Sequence, residues 1–331
     1  MLRNEDALVV AASMPAGSAR LIYCDGPYGL DFGEWDRAKG GELVEWYRPF
    51  FDSFDRLAMP SASLVVWGTS GSWAWLHCDL VRRGWHYAGS IVWNKGHSSN
   101  VMCSDPTKLR SWAQTHEQVG IYRRDELSSP ICAATTIANA AGASERNWIR
   151  VWLGDEWAAA GLKRSEADRA LGTSSMAGHY FGASQWTLPS WDAYKTLAHY
   201  AQKHGKARDG LPWLVHPSAV ADLRAEYEHL RAPFNLSRVM QSVWKETSPT
   251  TRAGRHGHPC EKPQTLTRKL VETLTRPGEL VFEPFGGSSP VARVCEAMPP
   301  HARREWVSCE IDRAYVETTR SMLKQLQQSL F

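Results

Sequence analysis

Leu21-Ile22-Tyr23-Cys24-Asp25-Gly26-Pro27-Tyr28 is an apolar run of strand length that stops at a carboxylate, a glycine and a proline. Such a run reads as a buried parallel strand that hands a stiff turn to the carboxyl edge of a sheet. That edge is where open α/β sheets bind their ligands. There the Asp25 carboxylate and the turn's backbone carbonyls form a row of hydrogen-bond acceptors beside the flat ring of Tyr28. Acceptors next to a ring suit a planar ligand that carries an amino group.

Outward from this turn, the first third of the chain alternates strands with helices, as a doubly wound sheet does. Leu43, Trp46, Tyr47, Phe50, Phe54 and Leu57 recur at helical spacing and predict an amphipathic helix over 42–57. Residues 63–68 predict the next buried strand, 72–83 its helix with Gly84 at the end, and 87–93 and 118–123 two further strands. The connection over 94–116, with Lys95, His97, Lys108 and Arg110, is long and basic. Residues 126–140 have the composition of a linker. Beyond them the pattern is helical only: 146–160, a helix opened by a capping box of Ser165 and Asp168, a short helix from 172 to about 181, one capped by Ser190, and one capped by Ser218. Two short helices around a glycine turn suggest helix-turn-helix. The α/β pattern then returns, with a helix at 266–275, a strand at 279–282, a helix at 290–297 and a strand at 306–309. A basic loop over 245–262 precedes it.

Composition narrows the class. With 331 residues the chain can bury a large core, and a formal charge of +3 with a pI near 8.4 leaves any nucleic-acid surface to local clustering. Seven cysteines without a C-x-x-C pair argue against a disulfide framework or a zinc module and for a reducing compartment. No run of about eighteen apolar residues predicts a membrane span, so a soluble cytoplasmic protein is expected.

A second motif follows the strand ending at Phe282: Glu283-Pro284-Phe285-Gly286-Gly287-Ser288-Ser289-Pro290. Glycines between a strand and a helix let backbone approach a ligand, yet both G-x-G-x-x-G and the Walker pattern are absent, so this is not a phosphate cradle. Further on, Glu310-Ile311-Asp312 follows a strand, where an acidic residue commonly meets ribose hydroxyls. Upstream stands His258-Pro259-Cys260-Glu261-Lys262-Pro263.

In this order the strings resemble the β group of DNA amino-methyltransferases. Asp25-Gly26-Pro27-Tyr28 is similar to that family's Asp/Asn/Ser-Pro-Pro-Tyr/Phe/Trp signature, with Gly26 for the first proline. Residues 283–290 are similar to its Asp-Pro-Phe-x-Gly-Ser-Gly-Thr segment, with Glu283, Ser289 and Pro290 departing, and 258–263 to its His-Pro-x-x-Lys-Pro element. The likeness covers 17–125 and 236–325.

The resemblance implies a Rossmann-like, seven-stranded, mostly parallel sheet built from residues 1–125 and 236–331, with 126–235 inserted as a helical target-recognition domain. It implies S-adenosylmethionine as cofactor, held without a metal by Cys24, Asp25, Lys262, Pro263, Phe282, Glu283, Pro284, Phe285, Gly286, Gly287, Ser288, Glu310 and Asp312. Asp25, Gly26, Pro27 and Tyr28 would be catalytic, taking the amino hydrogens of a flipped base that stacks on Tyr28. Double-stranded DNA is the implied partner, with Lys95, Lys108, Arg110, Arg252 and Arg255 on phosphates and Ser174, Ser175 and His179 reading sequence; this group often works as homodimers. Asp at position 25 favours adenine N6 over cytosine N4. Gly26 and Ser289 leave room for a catalytically inactive DNA-binding regulator on the same fold.

Overall fold

The computed structural model describes residues 1–96, 115–124, 148–182, 186–187, 189–206, 233–235, 240–246, 258 and 260–329. The chain divides into two compact units, Met1–Asp125 with Pro233–Phe331, and Glu126–Ala232.

The first unit is a sheet from both ends of the chain. Among the described residues its strands are β1 (Leu2–Arg3), β2 (Ala19–Cys24), β3 (Ala58–Gly68), β4 (His86–Asn94), β5 (His116–Arg123), β6 (Val243–Lys245), β7 (Leu280–Glu283) and β8 (Glu305–Cys309). They lie in the order β1-β8-β7-β2-β3-β5-β4-β6, parallel except for β5, which runs against both neighbours. Every residue of β2 is buried, because it sits between β3 (Ile22 opposite Leu64) and β7 (Ile22 opposite Phe282) with helices on both faces. That is why its sequence is a continuous apolar run. Ile22 and Cys24 pack with α1 (Ala7–Ser13), α2 (Gly41–Leu57) and α3 (Ser70–Arg82). Leu21 and Tyr23 pack on the other face with α8 (Gln264–Leu274) and α9 (Pro290–Glu296).

Among the described residues eight strands stand where the resemblance implies seven and the residue pattern places six. The two unread ones, β1 and β6, are two and three residues long, too short to carry a periodic signal. The N-terminal segment is tied down: Leu2 pairs with Ser308, and Asn4 donates from Nδ2 to the carbonyls of Glu310 and Ile311, both at 3.0 Å. Helix α3 starts two residues early because Thr69 caps it. Its hydroxyl accepts from Ser72 N at 3.2 Å and Ser72 Oγ accepts from Thr69 N at 2.9 Å.

In the second unit the described helices are α4 (Trp148–Ala159), α5 (Arg164–Leu171), α6 (Met176–Phe181) and α7 (Trp191–His204), around Leu153, Trp157, Ala177, Phe181 and Leu197. Ser190 caps α7 as expected, its hydroxyl accepting from Ala193 N. The capping box at Ser165 is displaced. Glu166 accepts from Lys163 N at 2.7 Å, while Asp168 accepts from Thr173 Oγ1 and Ala177 N and so holds the start of α6. The linker over 126–140 and the helix expected after Ser218 lie outside the described residues. In the first unit the chain closes with α10 (Arg313–Ser329).

Candidate active site

Asp25 leaves β2 with its side chain 14% exposed. Two donors meet on its Oδ1: the Tyr28 hydroxyl at 2.7 Å and Lys262 Nζ at 2.9 Å. Oδ2 takes neither bond. The same donors reach a second carboxylate, Glu117 at the start of β5, whose Oε2 lies 3.2 Å from the Tyr28 hydroxyl and 3.5 Å from Lys262 Nζ. Oε1 of Glu117 is paired with Lys95. Two carboxylates and two ammonium groups thus balance in a nearly closed pocket, with Lys262 only 2% exposed and lying over the rings of Tyr28 and Trp67.

The environments push the two acids apart. For Asp25, burial and the charge of Glu117 outweigh Lys262 and raise its pKa. For Glu117, burial is overcome by Lys262 and Lys95 together, which hold it below the usual carboxylate range. Lys262, although buried, is held firmly charged by Asp25 and Glu117.

The turn is fixed from two sides. Asp36, fully buried, accepts the backbone N–H groups of Tyr28 (2.6 Å) and Gly29 (2.7 Å) on Oδ1, and those of Leu30 (2.9 Å) and Phe32 (3.3 Å) on Oδ2. Tyr47 of α2 donates its hydroxyl to the Pro27 carbonyl at 3.0 Å. Gly26 is bare because these neighbours leave it no room: a Cβ there would collide with the Tyr47 hydroxyl and lie 2.8 Å from the Phe285 ring. The proline of the resemblance would not fit. Gly26→Ala is therefore expected to lower the denaturant midpoint by an overpacking penalty of about 1–3 kcal/mol, with Tyr47→Phe in the same chain restoring part of it.

Phe285 joins the turn to the glycine loop after β7, with its ring against Trp46, Phe50 and Tyr47. Within that loop Gly286 N donates to Cys309 O at 2.7 Å, and a Cβ on Gly286 would lie 2.7 Å from Ser308 Oγ. Its bareness serves the close approach to β8. Gly287, at φ +52°, donates to Glu310 Oε2 at 2.7 Å, and a Cβ there would meet His258 at 3.0 Å. Glu310 Oε1 accepts from Asp312 N at 2.7 Å. Each Glu310 oxygen retains a lone pair for a hydroxyl donor. Ser289 stands in the left-handed region at φ 47°, where a glycine costs nothing and a serine about 1–2 kcal/mol, and its hydroxyl pairs with that of Ser308 at 2.9 Å.

The sequence pattern of the N6/N4 DNA methylase family matches residues 19–321. The chain belongs to this family. The type II methyltransferase M.HpaI of Haemophilus parainfluenzae is 25% identical over 138 residues, covering 38% of this chain and 43% of that protein. The DNA adenine methyltransferase YhdJ of Escherichia coli (strain K12) is 27% identical over 86 residues, 26% of this chain and 28% of that protein. The chain thus matches less than half the length of either relative. The PvuII DNA methyltransferase, described as cytosine-N4-specific, has the same fold, with a TM-score of 0.54 and 13% identity over 99% of this chain and 89% of its own.

Of the expected site residues, Asp25, Tyr28 and Lys262 form one network, and Gly26 abuts Phe285 of the second motif. Lys262 stands against Asp25, Glu117 and the Tyr28 ring. Lys95 pairs with Glu117 and covers the Trp93 ring, with its side chain 28% exposed. The side chains of Cys24 and Phe282 are wholly in the core, leaving only their backbone for a ligand, and burial pushes the Cys24 thiol well up. Asp312 caps α10 through Ala314 N at 2.8 Å. Pro263 caps α8, Pro284 and Ser288 are buried, and Glu283 accepts from Val291 N at 3.0 Å. Ser174 and Ser175 lie just ahead of α6, exposed, and His179 is in its last turn. Lys108, Arg110, Arg252 and Arg255 lie outside the described residues.

Sequence reading missed Glu117, Asp36 and Tyr47. Glu117 carries a faint signal, an acid at the head of an apolar strand. Asp36 carries none, sitting between Trp35 and Arg37 in a loop that reads as solvated. Among the described residues no three His, Cys, Asp or Glu side chains gather as a metal site, and no helix is long and apolar enough to cross a membrane.

Proposed function

We propose that the chain transfers a methyl group from S-adenosylmethionine to the exocyclic amino nitrogen of a flipped DNA base, with adenine N6 as the acceptor. The reading is carried by one juxtaposition: Asp25, at the end of β2, and the glycine loop, at the end of the neighbouring β7, are in contact through Gly26 and Phe285. A methyl donor at one and an amino group at the other would be close enough to react.

The glycine loop fits the cofactor as a cradle. Gly287 holds a conformation that other residues rarely adopt, and Glu310 offers oxygens to ribose hydroxyls. When bound, S-adenosylmethionine supplies a methyl group on a sulfonium, a strong electrophile that needs no metal. The rest falls to the chain's own groups. An aromatic amino nitrogen is a poor nucleophile because its lone pair is delocalised into the ring. Asp25 Oδ2 and the Gly26 carbonyl accept its hydrogens and draw the lone pair back toward nitrogen; the Pro27 carbonyl already accepts from Tyr47. Asp36 and Tyr47 hold these acceptors so that little reorganisation is needed. Burial raises Asp25's affinity for the proton the product must lose. In the second unit, residues 174–179 at the start of α6 are proposed to read DNA sequence.

The choice of adenine rests on Asp25, because in the family resembled an aspartate at this position usually accompanies adenine and a serine cytosine. With S-adenosylmethionine labelled in the methyl group and unmodified DNA, label is expected in N6-methyladenine after digestion to nucleosides. Label confined to N4-methylcytosine would overturn the base and leave the mechanism intact. Cofactor bound with no label transferred to any DNA would favour a regulator instead.

A further inference from the structure

Glu117 belongs to no motif, yet it duplicates the contacts of Asp25. The Tyr28 hydroxyl lies 2.7 Å from Asp25 and 3.2 Å from Glu117; Lys262 Nζ lies 2.9 Å from one and 3.5 Å from the other. One hydroxyl and one ammonium are thus divided between two acids, and among the described residues only Glu117 has a further cation of its own, Lys95. A lysine given to Asp25 alone would tie up its charge and make it a weak base.

We infer that Glu117 is a positioning residue for Asp25: by sharing Lys262 and Tyr28 with it, Glu117 keeps the Asp25 carboxylate basic enough to accept the proton that the methylated amino nitrogen sheds. The inference rests on the reading of Asp25 as the acceptor. Once the nitrogen–methyl bond has formed and the sulfonium has left as a neutral thioether, the nitrogen is cationic. Its N–H bond breaks with the electron pair staying on nitrogen, and the proton passes to Asp25 Oδ2. Glu117 stays ionised throughout, held so by Lys95 and Lys262.

The pocket allows this division. Besides Glu117, Lys262 and Tyr28, the described ionisable groups that feel the charge of Asp25 include Tyr23, Cys24, Tyr47, Cys260 and Glu283, and burial favours the protonated form of each. Among the described residues the charges linked to Asp25 through Lys262 are those of Glu117 and Lys95, while the Asp36 carboxylate faces the turn's backbone N–H groups.

Two substitutions should move Asp25 in opposite directions. In Glu117→Gln the shape is kept and the charge removed, so Lys262 turns wholly to Asp25. The acid limb of the single-turnover rate is expected to move down by about one pH unit, with the plateau falling about three- to tenfold and KM for DNA and cofactor unchanged. In Lys95→Met, at a side chain already 28% exposed, Glu117 loses its own cation and repels Asp25 more, so the limb moves up. Infrared titration of the cofactor-free protein carrying ¹³C-labelled aspartate, with the Asp25 band identified by its loss in Asp25→Asn, should show the same opposite shifts without any turnover. Shifts in the same direction, or none, overturn the inference, as does lost cofactor or DNA affinity with an unmoved titration, which marks a merely structural role. If Glu117→Gln does not fold, the upward shift in Lys95→Met decides alone. Full activity in Asp25→Ala would remove the underlying reading instead, and the inference with it.

Discussion

Asp25→Ala is expected to slow single-turnover methyl transfer on the order of 10²- to 10³-fold, the loss seen when one preorganised partner of the reacting group is removed. Affinities for DNA and S-adenosylmethionine should stay near those of the unaltered protein, because the role proposed for Asp25 is realised in the transition state rather than in binding. Removing the carboxylate leaves Lys262 buried with Glu117 alone, which costs stability. Rates are therefore to be compared below the unfolding range of both proteins. Asp25→Asn keeps an acceptor oxygen but loses the proton acceptor, so it should fall between the two. The pH dependence follows from the raised pKa of Asp25: as pH falls through it the carboxylate protonates and stops accepting, so the acid limb should lie above the ordinary carboxylate range. Asp25→Ala retaining more than about a tenth of the rate would sink the assignment of this turn as the acceptor.

Much of the sheet was legible because its signals are local. β2, β3 and β7 are apolar runs cut off by Asp, Gly or Pro, and α2 carries its core face at a period the eye can follow. The two strings at residues 25–28 and 283–290 were legible for the same reason, being contiguous stretches at strand ends. What failed to show was whatever depends on contact across the chain. Tyr28 meets Glu117 from 89 positions away and Lys262 from still further, and no spacing rule links them. The function of Asp36 lies in four backbone N–H groups between 28 and 32, a geometry that exists only once the loop has folded back. Lys95 reads as a phosphate ligand from its place in a basic loop, and nothing local points to Glu117. Its partner enters only when β5 is laid antiparallel beside β4. The glycine at 26 was legible as a departure from a pattern, but its cause was not, since Tyr47 and Phe285 come from α2 and from the far end of the chain.

Replacing Glu283 by glutamine is expected to stabilise the protein increasingly as pH rises from about 4.5 to 8. Glu283 ends β7 with Oε1 on the Val291 amide at the start of α9, and full burial raises its pKa from 4.5 to about 8. Below the lower value the carboxyl is protonated in both the folded and the unfolded chain, and it makes no difference to stability. Between the two values the unfolded chain releases the proton while the folded chain keeps it. The unfolded state then binds fewer protons, and stability falls as pH rises, at up to about 1.4 kcal/mol per unit. At pH 7 the accumulated loss is roughly 3 kcal/mol, and above 8 it levels off because both states are ionised. Glutamine accepts from the same amide and carries no charge, so it escapes this loss. The comparison is made by denaturant unfolding of both proteins across that range, each titration sharing every other ionisable group. Curves that stay parallel would show that Glu283 ionises normally in the folded chain. Curves that diverge toward alkaline pH and then run level would show that the strand carrying the glycine loop ends on a neutral acid at neutral pH. Ionising that acid would place an uncompensated charge beneath the loop, so its neutrality is what lets β7 and α9 close over it.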